Sequence, residues 1–366
     1  MDAIDDLSDA IDVTRELLLP VRAGLWLKLA IVVFFVGGGM GSGFPSGNPG
    51  MTSDGQPVDG GMDAISEDVL VAIAAVVVVL LLIWLVFGLI GAVLEFVFIE
   101  SLRSTTVHIR RYSRANLGRG LRLFSFRLVA GLALLLLVGG PAVFAFMNAG
   151  SFEAALGPLL LIALFAIPVY AVYAIAMRFT SEFVAPIMLL EERGVLGSWS
   201  RFWSTLKANW TEYAVYLLLV WLLQLVVSAA VTFLVLIGSI VVAIPFVIVG
   251  LLLATLGDIG VVLAVGVAIV GFLTILLFVA LVQMPIRTYF QYYALLLLGD
   301  TNEELDLIPD QRAAVRAGGP ATTTDTDSRS SDERWGGDDR FGDTETRDGD
   351  RGDEWSTDDS DDRDDW

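Results

Sequence analysis

The stretch VLVAIAAVVVVLLLIWLVFGLIGAVLEFVFI, Val69–Ile99, holds a single charged residue, Glu95. Crossing a bilayer takes roughly 20 apolar residues, and this run exceeds that. Lipid offers the backbone no hydrogen-bonding partner, so a crossing segment is either a helix or a strand of a closed barrel. Barrel strands alternate apolar and polar positions, whereas Val76–Ile83 is apolar throughout. The stretch therefore reads as a transmembrane helix. Trp210–Leu256 repeats the pattern over a longer run, with Glu212 as its one charge.

Outward from these two runs, the remainder of the 366 residues falls into place. Hydrophobic residues make up 55% of the chain and mean hydropathy is +0.70, above the range of a soluble domain. With Asp68–Ile99 as the second span, further apolar segments lie at Gly24–Met40, Leu123–Met147 and Pro158–Met177. The run from Glu212 to Leu298 divides into two long helices broken near Gly257-Asp258, or into three with a further break near Gly238 or Pro245. Loop charge favours two. Cytoplasmic loops are enriched in Lys and Arg. Gly37–Glu67, Asn148–Gly157 and Gly257–Gly260 contain neither, whereas the segments holding Arg103 to Arg127 and Arg193 to Lys207 are basic. Arg287, Arg312 and Arg316 place the C-terminal side with the basic loops.

The reading is an all-α integral membrane protein with six transmembrane helices arranged as three helical hairpins. An amphipathic interfacial helix (1–22) precedes the six-helix domain (23–298), and a disordered acidic tail (299–366) follows it. Both termini are expected on the cytoplasmic side of the cell membrane. A weak internal repeat agrees. Basic, aromatic lead-ins enter a span at Gly24–Lys28, Leu121–Arg127 and Trp199–Trp210, and aromatic, charged segments leave one at Phe96–Glu100, Arg178–Phe183 and Arg287–Tyr293. In the first helix Ile4, Leu7, Ile11, Leu17 and Leu18 fall near one face, with aspartates opposite.

Charge and cysteine usage exclude several classes. The chain opens with Asp2, Asp5, Asp6, Asp9 and Asp12, where a secretory signal needs a basic segment. There is no cysteine, so disulfides and thiolate metal sites are excluded. Net charge is −19, and Lys+Arg number 23, of which only Lys28 and Lys207 are lysine. That acidic, lysine-poor surface matches a salt-loving cell and argues against nucleic acid as a partner, because phosphate binding needs basic patches. The expected partners are the lipid bilayer and a cytoplasmic protein docking on the tail, where Trp335, Phe341, Trp355 and Trp366 stand among acidic residues. The sequence leaves the oligomeric state open.

Five charged residues near the inner ends of the spans form a candidate polar cluster: Glu95, Glu100, Arg178, Glu182 and Arg287. Arg178 and Glu182 lie four apart and share a helix face. Ionisable groups within a membrane often mark a transport path, although residues at this depth also snorkel to water as plain anchors. Gln224 and Gln283 are the amides deep in spans, suited to interhelical hydrogen bonds. Pro168, Pro245 and Pro285 interrupt spans, as in transporters, yet proline is common in membrane helices. His108 is the sole histidine and sits in the basic loop, so neither a catalytic triad nor a histidine metal site assembles around it. No catalytic, cofactor-binding or metal-binding residue is expected. Asn209-Trp210-Thr211 fits the glycosylation triplet, but on the cytoplasmic side it would remain unmodified.

The segments Leu17-Leu18-Leu19-Pro20 and Trp26-Leu27-Lys28-Leu29 resemble a family of haloarchaeal multi-pass membrane proteins of undefined function, as do Phe183–Met188 and Trp203–Trp210. The latter two segments are also similar to the non-catalytic membrane domain that accompanies some glycerophosphodiester phosphodiesterases. The resemblance covers residues 1–300 and implies a six-helix module without catalytic residues, since the phosphodiesterase barrel has no counterpart here. The expectation is a non-enzymatic scaffold or accessory subunit; the alternative is a transporter or permease subunit for a small solute or lipid.

Overall fold

The computed structural model describes residues 2–36, 67–149 and 151–317, and all regular structure among them is helical. The order is α1 (Asp2–Leu18), α2 (Ala23–Val36), α3 (Glu67–Ser104), α4 (Ile109–Asn148) and α5 (Phe152–Phe179). A π-helical turn, Thr180–Val184, carries α5 into α6 (Ala185–Leu190), and α7 (Val195–Ala208), α8 (Trp210–Ala254) and α9 (Asp258–Thr301) follow. A 3-10 turn, Glu303–Leu305, and α10 (Pro309–Arg316) complete the described chain. The expected outer loop at 37–66 and the tail aromatics from Trp335 onward lie outside the described residues.

Among the described residues, five helices are long and apolar enough to cross a membrane: Val71–Ser104, Ile109–Asn148, Glu153–Leu190, Trp210–Ala254 and Asp258–Thr301. α2 is apolar, but its 14 residues span about 21 Å, short of a hydrocarbon layer of roughly 30 Å. Residues 210–301 form two helices, with α8 continuing through Gly238 and Pro245 and α9 through Pro285. The break falls at Gly257, whose φ of +78° is strained for any residue with a Cβ. The adjoining Gly260 fits because a Cβ there would stand 1.9 Å from the Leu253 carbonyl oxygen.

The helices extend beyond the expected spans. Arg110 to Arg122, read as a loop, are the first turns of α4, and Arg201 and Lys207 lie on α7. Arginine is a good helix former, and nothing in these segments breaks a helix before the apolar run begins. α8 has 45 residues and is about 67 Å long, more than twice the hydrocarbon thickness. Only part of each helix therefore fits in lipid.

Packing divides along the same line. The core joins the last turns of α3 (Phe96, Phe98, Ile99, Leu102) to the π turn and α6 (Phe183, Ile187, Met188), and to the far end of α9 (Tyr292 to Leu298). Phe183 stacks on Phe202 of α7 at 5.1 Å and meets Tyr213 and Tyr216 of α8 edge-on at 5.2 and 5.3 Å. The opposite halves of α3 and α5 are exposed nearly all round, as at Val76 to Trp84 and Leu160 to Phe165, while α8 there turns Phe233, Leu234, Leu236 and Ile237 outward. An apolar surface of this extent belongs in lipid.

Two readings of the chain ends require correction. α1 does not bury one purely apolar face: Ile4 and Ile11 are exposed, whereas Asp6, Ala10, Val13 and Leu18 are buried. The helix packs on α9 and α10, so its inward side carries a carboxylate. The boundary at residue 298 is also too early. Leu305, Leu307 and Ile308 are buried, and residues 300–316 fold back over α1. Arg312 bridges Asp300 and Asp306 at 2.7 Å each, while Arg316 reaches Asp6 at 3.2 Å and Asp9 at 3.4 Å and also pairs with Asp300. The Gln311 amide donates to the Leu102 and Arg103 carbonyls at 3.0 and 3.2 Å and the Tyr292 hydroxyl to the Leu102 carbonyl at 3.0 Å, so the two side chains cap the end of α3.

This clasp titrates. Burial, with the charge of Asp300 beside it, pushes the Asp6 carboxyl up to about 8 from an ordinary 3.8. A carboxyl raised on folding contributes stability that is complete below its unfolded value and is lost as pH rises through about 8. Hydrogen exchange in α1, corrected for the intrinsic base-catalysed rate at each pH, should therefore accelerate from pH 5 to 8, by at most about tenfold per pH unit for one proton. Asp6→Asn should flatten that dependence. An unchanged slope in the variant would assign the effect to another group.

Candidate functional site

The candidate site is a chain of charged and hydrogen-bonded side chains linking α3, α4, the π turn, α5 and α8 where the packed core meets the exposed halves. Glu95, on α3, is 3% exposed. Arg127 of α4 grips its carboxylate with both guanidinium nitrogens, Nη1 at 2.6 Å and Nη2 at 2.8 Å. Arg127 Nη2 also donates to Ser181 Oγ at 2.8 Å. Arg178, in the last turn of α5, donates from Nε to both oxygens of Glu182 at 3.0 and 3.1 Å. Its Nη1 donates to Gln224 Oε1 on α8 at 3.0 Å, and Tyr216 donates its hydroxyl to Glu182 at 2.9 Å.

The π turn makes this meeting possible. Pro186 has no N–H, so the Glu182 carbonyl loses its helical partner and the chain takes an extra residue into the turn. The shift brings Ser181 to Arg127 and Glu182 to Tyr216 at once. Trp199 Nε1 holds the turn from α7 by donating to Thr180 Oγ1 at 3.1 Å.

Of the five residues singled out from sequence, four gather here. Arg178 and Glu182 form an i, i+4 pair, Glu95 stands behind them, and Arg287 on α9 is half-buried within Coulombic reach of Glu95, Arg127, Glu182 and Arg178. Glu100 does not join. It lies on another face of α3 and approaches Arg103 at 4.0 Å, because five residues along a helix turn a side chain well away from its start. Arg127, Ser181 and Tyr216 went unrecognised as members. Arg127 carried a signal, as the deepest of the α4 arginines into the apolar run, but its partner lies 32 residues away. Gln224 was expected to bond another helix, and it accepts from Arg178.

The remaining candidates have local roles. His108 is exposed at the start of α4, edge-on to Tyr112 at 5.9 Å. The Asn209 amide is engaged with the Thr205 and Thr301 carbonyls at 3.4 and 3.3 Å. Among the described residues no group of three or more acidic or histidine side chains converges as a metal site.

Comparison with known families assigns the chain. Residues 1–308 match the family described as "Family of unknown function (DUF7544)". The chain belongs to that family. The match covers all the described helices up to the 3-10 turn, and therefore the whole polar chain. No curated protein and no solved structure matches.

The energetics of the site can be tested by exchange of charge. Breaking a buried pair by removing one partner costs about 3–5 kcal/mol, because the other charge is left unpaired. Arg127→Ala should therefore lower the melting temperature in detergent sharply, while Arg103→Ala should change it little. Arg178→Glu alone should destabilise, and adding Glu182→Arg should restore part of the loss, with a coupling of roughly 1–3 kcal/mol. Strictly additive losses would show that the two side chains do not act as a pair.

Proposed function

We propose that this chain is a non-enzymatic membrane scaffold or accessory subunit of the cell membrane, with six membrane segments paired as three hairpins. α2 is the first segment. Both termini lie in the cytoplasm, and the acidic tail is the contact surface for a cytoplasmic protein.

The observation that carries this reading is the separation of charge between the two ends of the helices. Lys28, Arg103, Arg110 to Arg127, Arg178, Arg201, Lys207 and Arg287 all stand toward the ends where α2, α4 and α8 begin and α3, α5 and α9 finish. The opposite ends carry Glu67, Asp68, Glu153 and Asp258 and no Lys or Arg. Positive charge marks the cytoplasmic face.

A scaffold is preferred to a transporter because the carboxylates of the inner cluster are already taken: Glu95 by Arg127 and Glu182 by Arg178. Beyond Gln224 and Gln283 the spans offer few polar side chains on which a solute could be passed along.

Substituted-cysteine labelling tests the arrangement on a background with no native cysteine. An impermeant thiol reagent should reach cysteines at Ser53, Glu153 and Asp258 from outside and leave those at Ser200 and Ser330 protected. Outside labelling at Ser330 would require an odd number of spans and would remove the tail from the cytoplasm.

A further inference from the structure

The polar chain contains one guanidinium more than it can neutralise. Glu95 is matched to Arg127 and Glu182 to Arg178, and no carboxylate among the described residues stands within 4.0 Å of Arg287. A half-buried arginine in a membrane protein is costly unless something pairs with it.

The helices around this charge do not close. α5 packs on α4, α4 on α3, α3 on α2, α2 on α9 and α9 on α8, but α8 and α5 do not pack along their lengths. They are joined near the core by the Arg178–Gln224 and Glu182–Tyr216 hydrogen bonds. By helical spacing, Ala171, Ala174 and Ile175 share the face of α5 that carries Arg178, and Trp221 and Ser228 share the face of α8 that carries Gln224. All five are exposed. The polar chain is thus the floor of a slot whose walls are mainly apolar.

The 29 residues from Asp258 to Arg287 rise about 44 Å, and a bilayer with both headgroup layers is roughly 40–45 Å thick. The 27 residues from Asp68 to Glu95 give about 40 Å. With the acidic helix ends at the outer surface, Arg287 and Glu95 lie at the depth of the inner-leaflet headgroups.

We infer that Arg287 and the slot between α5 and α8 form a binding site for an anionic phospholipid of the inner leaflet. Its phosphate diester pairs with the Arg287 guanidinium, and an acyl chain runs along the apolar walls. The planar guanidinium suits a bidentate phosphate contact. The slot favours an amphiphile over a free phosphate, because apolar wall adjoins the cation. The one surplus positive charge of the cluster favours an anionic lipid over a zwitterionic one, whose own cation would duplicate Arg287. The inference rests on the membrane placement proposed above, which the labelling experiment tests separately.

The experiment is native mass spectrometry of the full chain in non-ionic detergent, titrated with phosphatidylglycerol or phosphatidylcholine of matched acyl chains. Wild-type protein should retain one phosphatidylglycerol in preference to phosphatidylcholine, and glycerol 3-phosphate at equal concentration should not displace it. Arg287→Gln should weaken phosphatidylglycerol retention about tenfold or more, the loss expected for a charge-assisted hydrogen bond. The exposed Arg122→Gln should leave retention unchanged. Equal retention of the two lipids by wild type would overturn the site even if Arg287→Gln fails to fold. Undiminished retention in a folded Arg287→Gln variant would overturn the role of Arg287. Displacement by glycerol 3-phosphate would make the ligand a free phosphate and overturn the lipid assignment.

Discussion

A carboxylate inside an apolar helix keeps its charge only when a cation and hydrogen bonds replace the water it has lost. Glu95 is in that position, and the two-pronged grip of Arg127 answers it. The consequence is mechanical as well as electrostatic. The pair fixes the register of α3 against α4, which approach so closely that a Cβ on Gly120 would stand 2.7 Å from the Val93 Cα. The second bond of Arg127, to Ser181, carries the constraint into the π turn, and Glu182 passes it to α8 through Tyr216. One buried charge thereby ties four parts of the chain together. Removing any single link leaves a polar group exposed to hydrocarbon or buried without a partner, and either is expensive.

The features legible in the sequence were those written in local composition. Val69–Ile99 and Trp210–Leu256 announce helices because their apolar runs admit no other solution in lipid, and Gly257-Asp258 announces a turn because little else interrupts that stretch. Arg178 and Glu182 were legible because helical spacing alone brings them together. The partner of Glu95 was not, since it depends on how two helices register, and a run of leucines and valines permits many registers. Pro186 could be noticed, yet the extra residue it forces into the helix is settled by Arg127, Tyr216 and Trp199, which approach from three other helices. Residues 299–316 read as the start of the acidic tail because their charges outnumber their apolar residues. Their order comes from specific pairing, Arg312 and Arg316 with four aspartates of the same segment and α1, which composition does not register.

Two solvents explain why one chain packs in two ways. In water, burial of apolar surface drives association, and the ends of α3, α8 and α9 that meet α1, α6 and α7 form a dense aromatic core. In hydrocarbon that drive is absent, because lipid tails are as apolar as leucine, and helices associate only through close fit or polar bonds. The exposed halves of α3, α4 and α5 are rich in bulky Val, Leu and Phe, so they have little reason to close on one another. Where α8 and α9 touch, small residues permit it: a Cβ on Gly238 of α8 would clash with Phe278 at 2.2 Å, and one on Gly271 of α9 would meet Phe246 at 2.8 Å.

The ion pairs fall where these two regimes meet, and that position follows from the cost of charge. Deeper in lipid, Glu95 and Arg127 would be far from any water or headgroup; farther into water, their pairing would be screened and of little structural value. At the boundary a charge pair is strong enough to hold helices in register without an excessive desolvation cost. The helices are long because they serve on both sides of that boundary: one part to cross the bilayer, the other to build a folded base in water. A chain that only crossed the membrane would need neither the 45 residues of α8 nor the clasp that α1 and α10 form over the end of α9. The packed base is therefore as much a part of this fold as the apolar halves that rise from it.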